Sequence, residues 1–176
     1  TAPARARAGE PLLIELGGLA RDTAYSYRLQ LRPHGAGAFA ASAARSFRTQ
    51  RAPGSAFTFT LQGDSHPERA GRMFEEALYA QTMRNIAGDR PDFHLTIGDD
   101  FSIDRLIQRG TLSRAAVEQV YAYQRPFLGS IGAPLFLVNG NHEQAGMALL
   151  DGTPTSPPVL AGAARVKHYP LPAPDA

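Results

Sequence analysis

Three apolar runs punctuate the middle of the chain, and a glycine breaks each one at its end. Phe57-Thr58-Phe59-Thr60-Leu61-Gln62 leads into Gly63-Asp64-Ser65-His66. Phe93-His94-Leu95-Thr96-Ile97 leads into Gly98-Asp99-Asp100-Phe101. Leu135-Phe136-Leu137-Val138 leads into Asn139-Gly140-Asn141-His142-Glu143. Apolar runs of this length, bounded by turn residues, predict short buried strands. Between the first two, Met73, Phe74, Ala77, Leu78, Met83 and Ile86 form a helical stripe that starts near Pro67-Glu68-Arg69 and ends near Gly88, with Met73 and Met83 read as core. Between the second and third, Ser113 is the expected N-cap of a helix through Val117, Val120 and Tyr121 toward Phe127, and Pro126 is expected to limit or kink its last turn. Strand, helix, strand, helix, strand predicts an α/β fold with parallel neighbours joined by crossovers.

The two ends of the chain are patterned differently. Leu12–Leu16 reads as a strand, and Tyr25–Arg32 alternates apolar and polar over eight residues, the period of a half-buried antiparallel strand. His34 falls in a turn cluster, Arg45–Thr49 reads as a returning strand, and Arg51–Ser55 as a linker. Beyond Asp151 the periodicity dissolves. Gly152–Pro158 has the composition of a loop, and Arg165–Pro170 reads as a short strand or an extended segment near the active face.

Composition narrows the chemistry. The net charge of +2 over 176 residues gives no bulk argument for nucleic acid. There is no cysteine, so disulfides and thiolate ligands are excluded and any metal must take nitrogen and oxygen donors. No apolar stretch has the length of a membrane span.

The candidate chemistry lies in the three glycine turns. Ligands gather outside the carboxyl ends of strands in open α/β sheets. Three such ends side by side would bring Asp64, His66, Asp99, Asn141 and His142 to one rim. Taken singly, Asp64 reads as a helix cap and Asp99 as a turn residue; their joint placement after three strands points to a metal site. Asp100 is either an acceptor orienting a ligand histidine or a solvated loop acid, and Glu143 is weighed the same way. His94 is expected in the core, Arg105 and Arg109 on a solvated surface, and His168 carries no functional case.

These motifs resemble the calcineurin-like metallophosphoesterases, whose pattern is Asp-x-His, then Gly-Asp, then Gly-Asn-His followed by Glu or Asp. Here they are Asp64-Ser65-His66, Gly98-Asp99 and Gly140-Asn141-His142-Glu143, spaced by 35 residues from Asp64 to Asp99 and 42 from Asp99 to Asn141. The resemblance implies two metal ions (Mn, Fe or Zn). Asp64 and His66 would bind the first, Asp99 would bridge both, and Asn141 would bind the second. His142 would face the substrate, and a phosphomonoester or phosphodiester would be attacked by a metal-bridging hydroxide. A non-catalytic scaffold built on the same fold and a single-metal hydrolase are the competing readings.

Residues 1–53 resemble the C-terminal strands of a fibronectin type III-like sandwich, because Leu19-x-x-x-Thr23-x-Tyr25 matches the segment holding its tyrosine corner. Tyr25 is then expected to bond upstream backbone through its hydroxyl. Residues 54–176 would be the N-terminal part of a metallophosphoesterase α/β/β/α sandwich. The order of the two resembles purple acid phosphatases and implies an extracytoplasmic, periplasmic or secreted, protein. Those enzymes have Asp-x-Gly in the first motif and a Tyr ligand after the bridging Asp. Here His66 closes the first motif and Asp100-Phe101-Ser102 supplies no Tyr. The family also places Gly-His-x-His downstream, which is lacking after His142. The chain is therefore expected to be a piece of a longer protein, weakly metal-binding and inactive by itself.

Overall fold

The computed structural model describes residues 4–33, 35, 37–144 and 149–170. Among these residues it is a mixed α/β structure of small sheets and five α-helices. The central sheet holds β5 (Phe59–Gln62), β6 (Phe93–Thr96) and β7 (Leu135–Leu137) in that order, all parallel. The three predicted strands are thus present and adjacent. Their register aligns Leu61 with Leu95 and Leu95 with Phe136. Because side chains alternate across a strand, Thr60, His94, Thr96 and Leu137 share one face, while Phe59, Leu61, Phe93 and Phe136 share the other.

The first face is covered by helices. α1 (Glu76–Gly88) contributes Tyr79, Met83 and Ile86 to the core, α3 (Arg114–Ser130) contributes Val117, Tyr121 and Leu128, and α5 (Pro157–His168) contributes Leu160, Ala161 and Ala164. His94 and Thr96 are completely buried beneath them. The expected core role of His94 holds: its Nδ1 lies 2.8 Å from Thr60 Oγ1 on the neighbouring strand. On the opposite face Phe59, Phe93 and Phe136 form an aromatic row, with ring centroids 5.3 and 5.7 Å apart. Phe59, Leu61 and Phe136 are exposed there.

Several expectations are corrected. The helix read from Pro67 is two pieces, a 3-10 turn at Pro67–Arg69 and α1 beginning only at Glu76. The Gly71 turn, at φ 77°, separates them. Met73 falls in that break and is 71% exposed rather than core. Pro126 lies inside α3, in the last turn before Ser130, and Ser113 caps the helix as expected by accepting from Ala116 N–H at 3.2 Å. Arg165–Pro170 is not extended, because α5 runs from Pro157 to His168 with proline in its first turn and basic residues in its last. A short helix, α2 (Asp104–Gln108), was not foreseen.

In the N-terminal part, β1 (Ala24–Tyr27) pairs antiparallel with β4 (Arg45–Arg48), and β2 (Gln30–Leu31) with β3 (Ala40–Ala41). The expected eight-residue strand is therefore broken after Tyr27. Leu12–Leu16 is exposed and carries no strand. The Tyr25 hydroxyl accepts from Ala20 N–H at 2.8 Å, the upstream backbone bond expected of a tyrosine corner. Its ring stacks on Phe47, which pairs with it across the strands. His34 lies outside the described residues. Arg51 joins this part to the central sheet through Asp92, Nε to Oδ1 at 2.8 Å.

Candidate metal centre

The three parallel strands point the same way, so the loops after Gln62, Thr96 and Leu137 meet on one rim. Two glycines let them touch. A Cβ on Gly98, at φ 104°, would lie 2.1 Å from Gly140 N, and one on Gly140 would lie 2.2 Å from Asp99 Oδ1. Neither position admits a side chain. Loop one is tied to loop two by Asp64 N–H donating to Gly98 O at 2.9 Å and His66 N–H to Asp99 O at 3.2 Å. Loop three is tied to it by His142 N–H donating to Asp99 Oδ1 at 2.8 Å.

Glu143, in α4 (Asn141–Gln144), clasps the rim from beneath. Its Oε2 accepts from Asp99 and Gly140 N–H, both at 2.7 Å, and its Oε1 from Asp100 and Phe101 N–H at 2.7 and 2.8 Å. One buried carboxylate thus satisfies four backbone donors from two loops. Glu143 thus holds the backbone of the Asp99 and Gly140 turns, and its carboxylate oxygens contact no histidine side chain among the described residues.

Asp64, His66 and Asp99 all have left-handed backbones, with φ of 57°, 45° and 62°. Such conformations cost energy in non-glycine residues and cluster at functional sites. Here they turn the side chains toward one another. His66 Nε2 lies 3.9 Å from Asp64 Oδ1 and 3.8 Å from Asp99 Oδ2. These separations exceed a hydrogen bond. They are wider by a few tenths of an ångström than the roughly 3.4 Å between ligand atoms of a tetrahedral ion, so the side chains would close inward on an ion.

Each imidazole at the rim has its Nδ1 against a carboxylate. His66 Nδ1 lies 2.8 Å from Glu68 Oε1. An ionised carboxylate only accepts, so Nδ1 carries the proton and Nε2 offers its lone pair to the rim. His142 Nδ1 lies 2.5 Å from Asp104 Oδ2, and its Nε2 faces Arg69 Nη2 at 3.2 Å. A guanidinium only donates, which gives His142 the same tautomer. The two rings meet edge to face with centroids 4.8 Å apart. His66, Asp99 and His142 each present a ligand atom within 4.8 Å of the others. The donor set of imidazole and carboxylate suits first-row transition ions, and the fixed tautomers fit such an ion.

Of the residues expected from the sequence, Asp64, His66, Asp99 and His142 come together. Asn141 opens α4 on the same rim and is exposed. Asp64 is the most open of the acids, its side chain 73% exposed. Asp100 orients no histidine and is not solvated. It is completely buried, its Oδ1 accepting from Gln62 Nε2 at 3.1 Å and Ser65 N–H at 3.4 Å. Burial pushes its carboxyl up to about 6, against the pull of its Ser65 and Gln62 hydrogen bonds. Gln124 of α3 anchors both loops, donating to Ser65 Oγ and Asp100 O at 2.9 Å each. The Tyr169 hydroxyl is spent on Tyr121 O at 3.1 Å.

Sequence reasoning missed Glu68, Arg69 and Asp104. Glu68 was read as a helix-start acid, and Asp104 was not singled out. The available signal was an acid two residues after His66 and another five after Asp99. Among the described residues no helix is long and apolar enough to cross a membrane. No protein-family profile, curated protein or solved structure matches the chain.

Proposed function

We propose that the rim is the metal centre of a phosphoesterase of the calcineurin-like kind, hydrolysing a phosphomonoester or phosphodiester. The observation that carries this reading is the convergence of His66, Asp99 and His142 on the ends of three parallel strands, with each imidazole held by its own carboxylate. Asp64 and His66 would hold one ion, Asp99 would reach both, and Asn141 would hold the second. The ions, when bound, supply a nucleophile from water at neutral pH and neutralise charge on the phosphoryl oxygens.

The chain's own groups account for the rest. Glu143 keeps Asp99 in its left-handed conformation, so that its carboxylate is presented without reorganisation. Asp104 holds the His142 proton on Nδ1 and stabilises the imidazolium when Nε2 is also protonated. His142 Nε2 can then donate to the leaving oxygen as the P–O ester bond breaks, a contribution of roughly two to four orders of magnitude in rate. Glu68 likewise fixes the His66 tautomer that turns Nε2 toward an ion.

The test is hydrolysis of p-nitrophenyl phosphate and bis(p-nitrophenyl) phosphate by the full-length protein, stripped with a chelator and reloaded with Mn, Zn or Fe. Turnover that appears with metal and is lost in Asp99→Asn supports the reading. Stoichiometric metal binding without turnover of any phosphate ester would leave a non-catalytic module in its place.

A further inference from the structure

Arg69 belongs to none of the three motifs, yet its guanidinium lies inside the site. It stands at the end of the 3-10 turn that follows His66, and its Nη2 reaches His142 Nε2 at 3.2 Å across 73 residues of sequence. Its Nε lies 3.4 Å from Glu68 Oε1, the oxygen that also holds His66 Nδ1. Glu68 therefore aims both an imidazole and a guanidinium at the rim. The Arg69 side chain is 31% exposed, so a solute entering the site can meet it.

Resting on the phosphoesterase reading, we infer that Arg69 is a substrate-binding residue that takes a non-bridging phosphoryl oxygen and makes the site one for phosphate monoesters rather than diesters. The guanidinium brings positive charge to a group of carboxylates and imidazoles, and its planar fork matches two phosphate oxygens. A monoester offers a terminal phosphoryl group with three non-bridging oxygens and up to two negative charges. A diester offers two such oxygens and one charge, and carries a second organic group. Arg69 lies against His142 Nε2, where the leaving oxygen must also come. A phosphoryl oxygen that draws the guanidinium away frees that nitrogen for the ester oxygen. The monoester gains this contact in full, whereas in the diester the second organic group competes for the same space.

The experiment compares wild type, Arg69→Ala and Arg69→Lys of the full-length protein on p-nitrophenyl phosphate and bis(p-nitrophenyl) phosphate, each loaded with the same metal and checked for metal content and melting temperature. Wild type should favour the monoester. Arg69→Ala should lower kcat/KM for the monoester roughly 10- to 100-fold, the scale of lost hydrogen bonds to a charged group, while changing the diester value less than about 3-fold. Arg69→Lys should restore part of the loss, because charge returns without the fork. Inorganic phosphate, titrated calorimetrically into the metal-loaded proteins, should bind wild type more tightly than Arg69→Ala by a similar factor. Equal losses on both esters with unchanged phosphate affinity would make Arg69 a structural residue and overturn the inference while leaving the phosphoesterase intact. A wild type that prefers the diester would overturn it too. A wild type inert toward both esters would remove the reading beneath it.

Discussion

Replacing Glu143 by glutamine tests the physical logic of the rim. The carboxylate accepts four backbone N–H groups, two on each oxygen, from Asp99, Asp100, Phe101 and Gly140. An amide keeps one oxygen and turns the other position into a donor. Two of the four N–H groups then face an NH2, in a place where Glu143 is only 9% exposed and water cannot substitute. Hydrogen bonds to charged groups contribute about 1.5–3 kcal/mol each, so losing two costs about 3–6 kcal/mol. That is a large part of the stability of an ordinary domain, about 5–15 kcal/mol. Urea denaturation of metal-free Glu143→Gln should therefore show its midpoint well below that of wild type. Metal should also bind more weakly, because Asp99 loses the bond that holds its left-handed backbone. A cost below about 1 kcal/mol together with unchanged metal affinity would refute this account of how the loops are clasped.

In the full-length protein Asp99→Asn should abolish metal-dependent turnover and weaken metal binding, measured by activity and by metal analysis after dialysis. His142→Ala should lower the rate roughly 10²- to 10⁴-fold and lose less metal than Asp99→Asn; Asp104→Asn removes the charge held against Nδ1 and should slow proton donation from Nε2 and change the pH–rate profile. An iron-loaded preparation should lack a tyrosinate charge-transfer band, because burial pushes the Tyr169 phenol upward and its hydroxyl bonds Tyr121 O; a purple protein would contradict this. Burial raises the Asp92 carboxyl, but the Thr58 N–H and the Arg51 guanidinium more than offset it and hold it below its ordinary value. A depressed carboxylate stabilises the fold above its unfolded pKa of about 3.9 and loses that contribution as pH falls through the lower folded value. Asp92→Asn should thus be less stable than wild type near neutral pH, and the difference should shrink in strong acid.

The elements legible in the sequence were those in which local pattern and tertiary environment agree. Phe59–Gln62, Phe93–Thr96 and Leu135–Leu137 are short apolar strands stopped by glycine, and Gly98 and Gly140 are required by contact between two backbones. Ser113 caps α3 through a bond that depends only on near neighbours. The misread elements depend on long-range packing. α5 is hidden behind a Pro-rich entry, Pro157-Pro158, and its buried residues Leu160, Ala161 and Ala164 are too few and too small to show a strong stripe. Met73 looked like core because it continues the spacing of Phe74 and Met83, but the turn at Gly71 removes it from the helix. In the site, Asp64, His66, Asp99 and His142 were legible because their residue types are informative after a strand. Glu68, Asp104 and Arg69 were not, since an acid or arginine becomes meaningful only once the fold places it beside an imidazole.

The central claim is that the three loops hold metal for phosphate-ester chemistry. Anomalous diffraction from crystals of the full-length protein grown with Mn tests it most directly. The account predicts two peaks sharing Asp99, one within about 2.0–2.3 Å of His66 Nε2 and an Asp64 oxygen, the other against Asn141. Peaks placed elsewhere, or no peak at the rim in metal-saturated crystals, would contradict it.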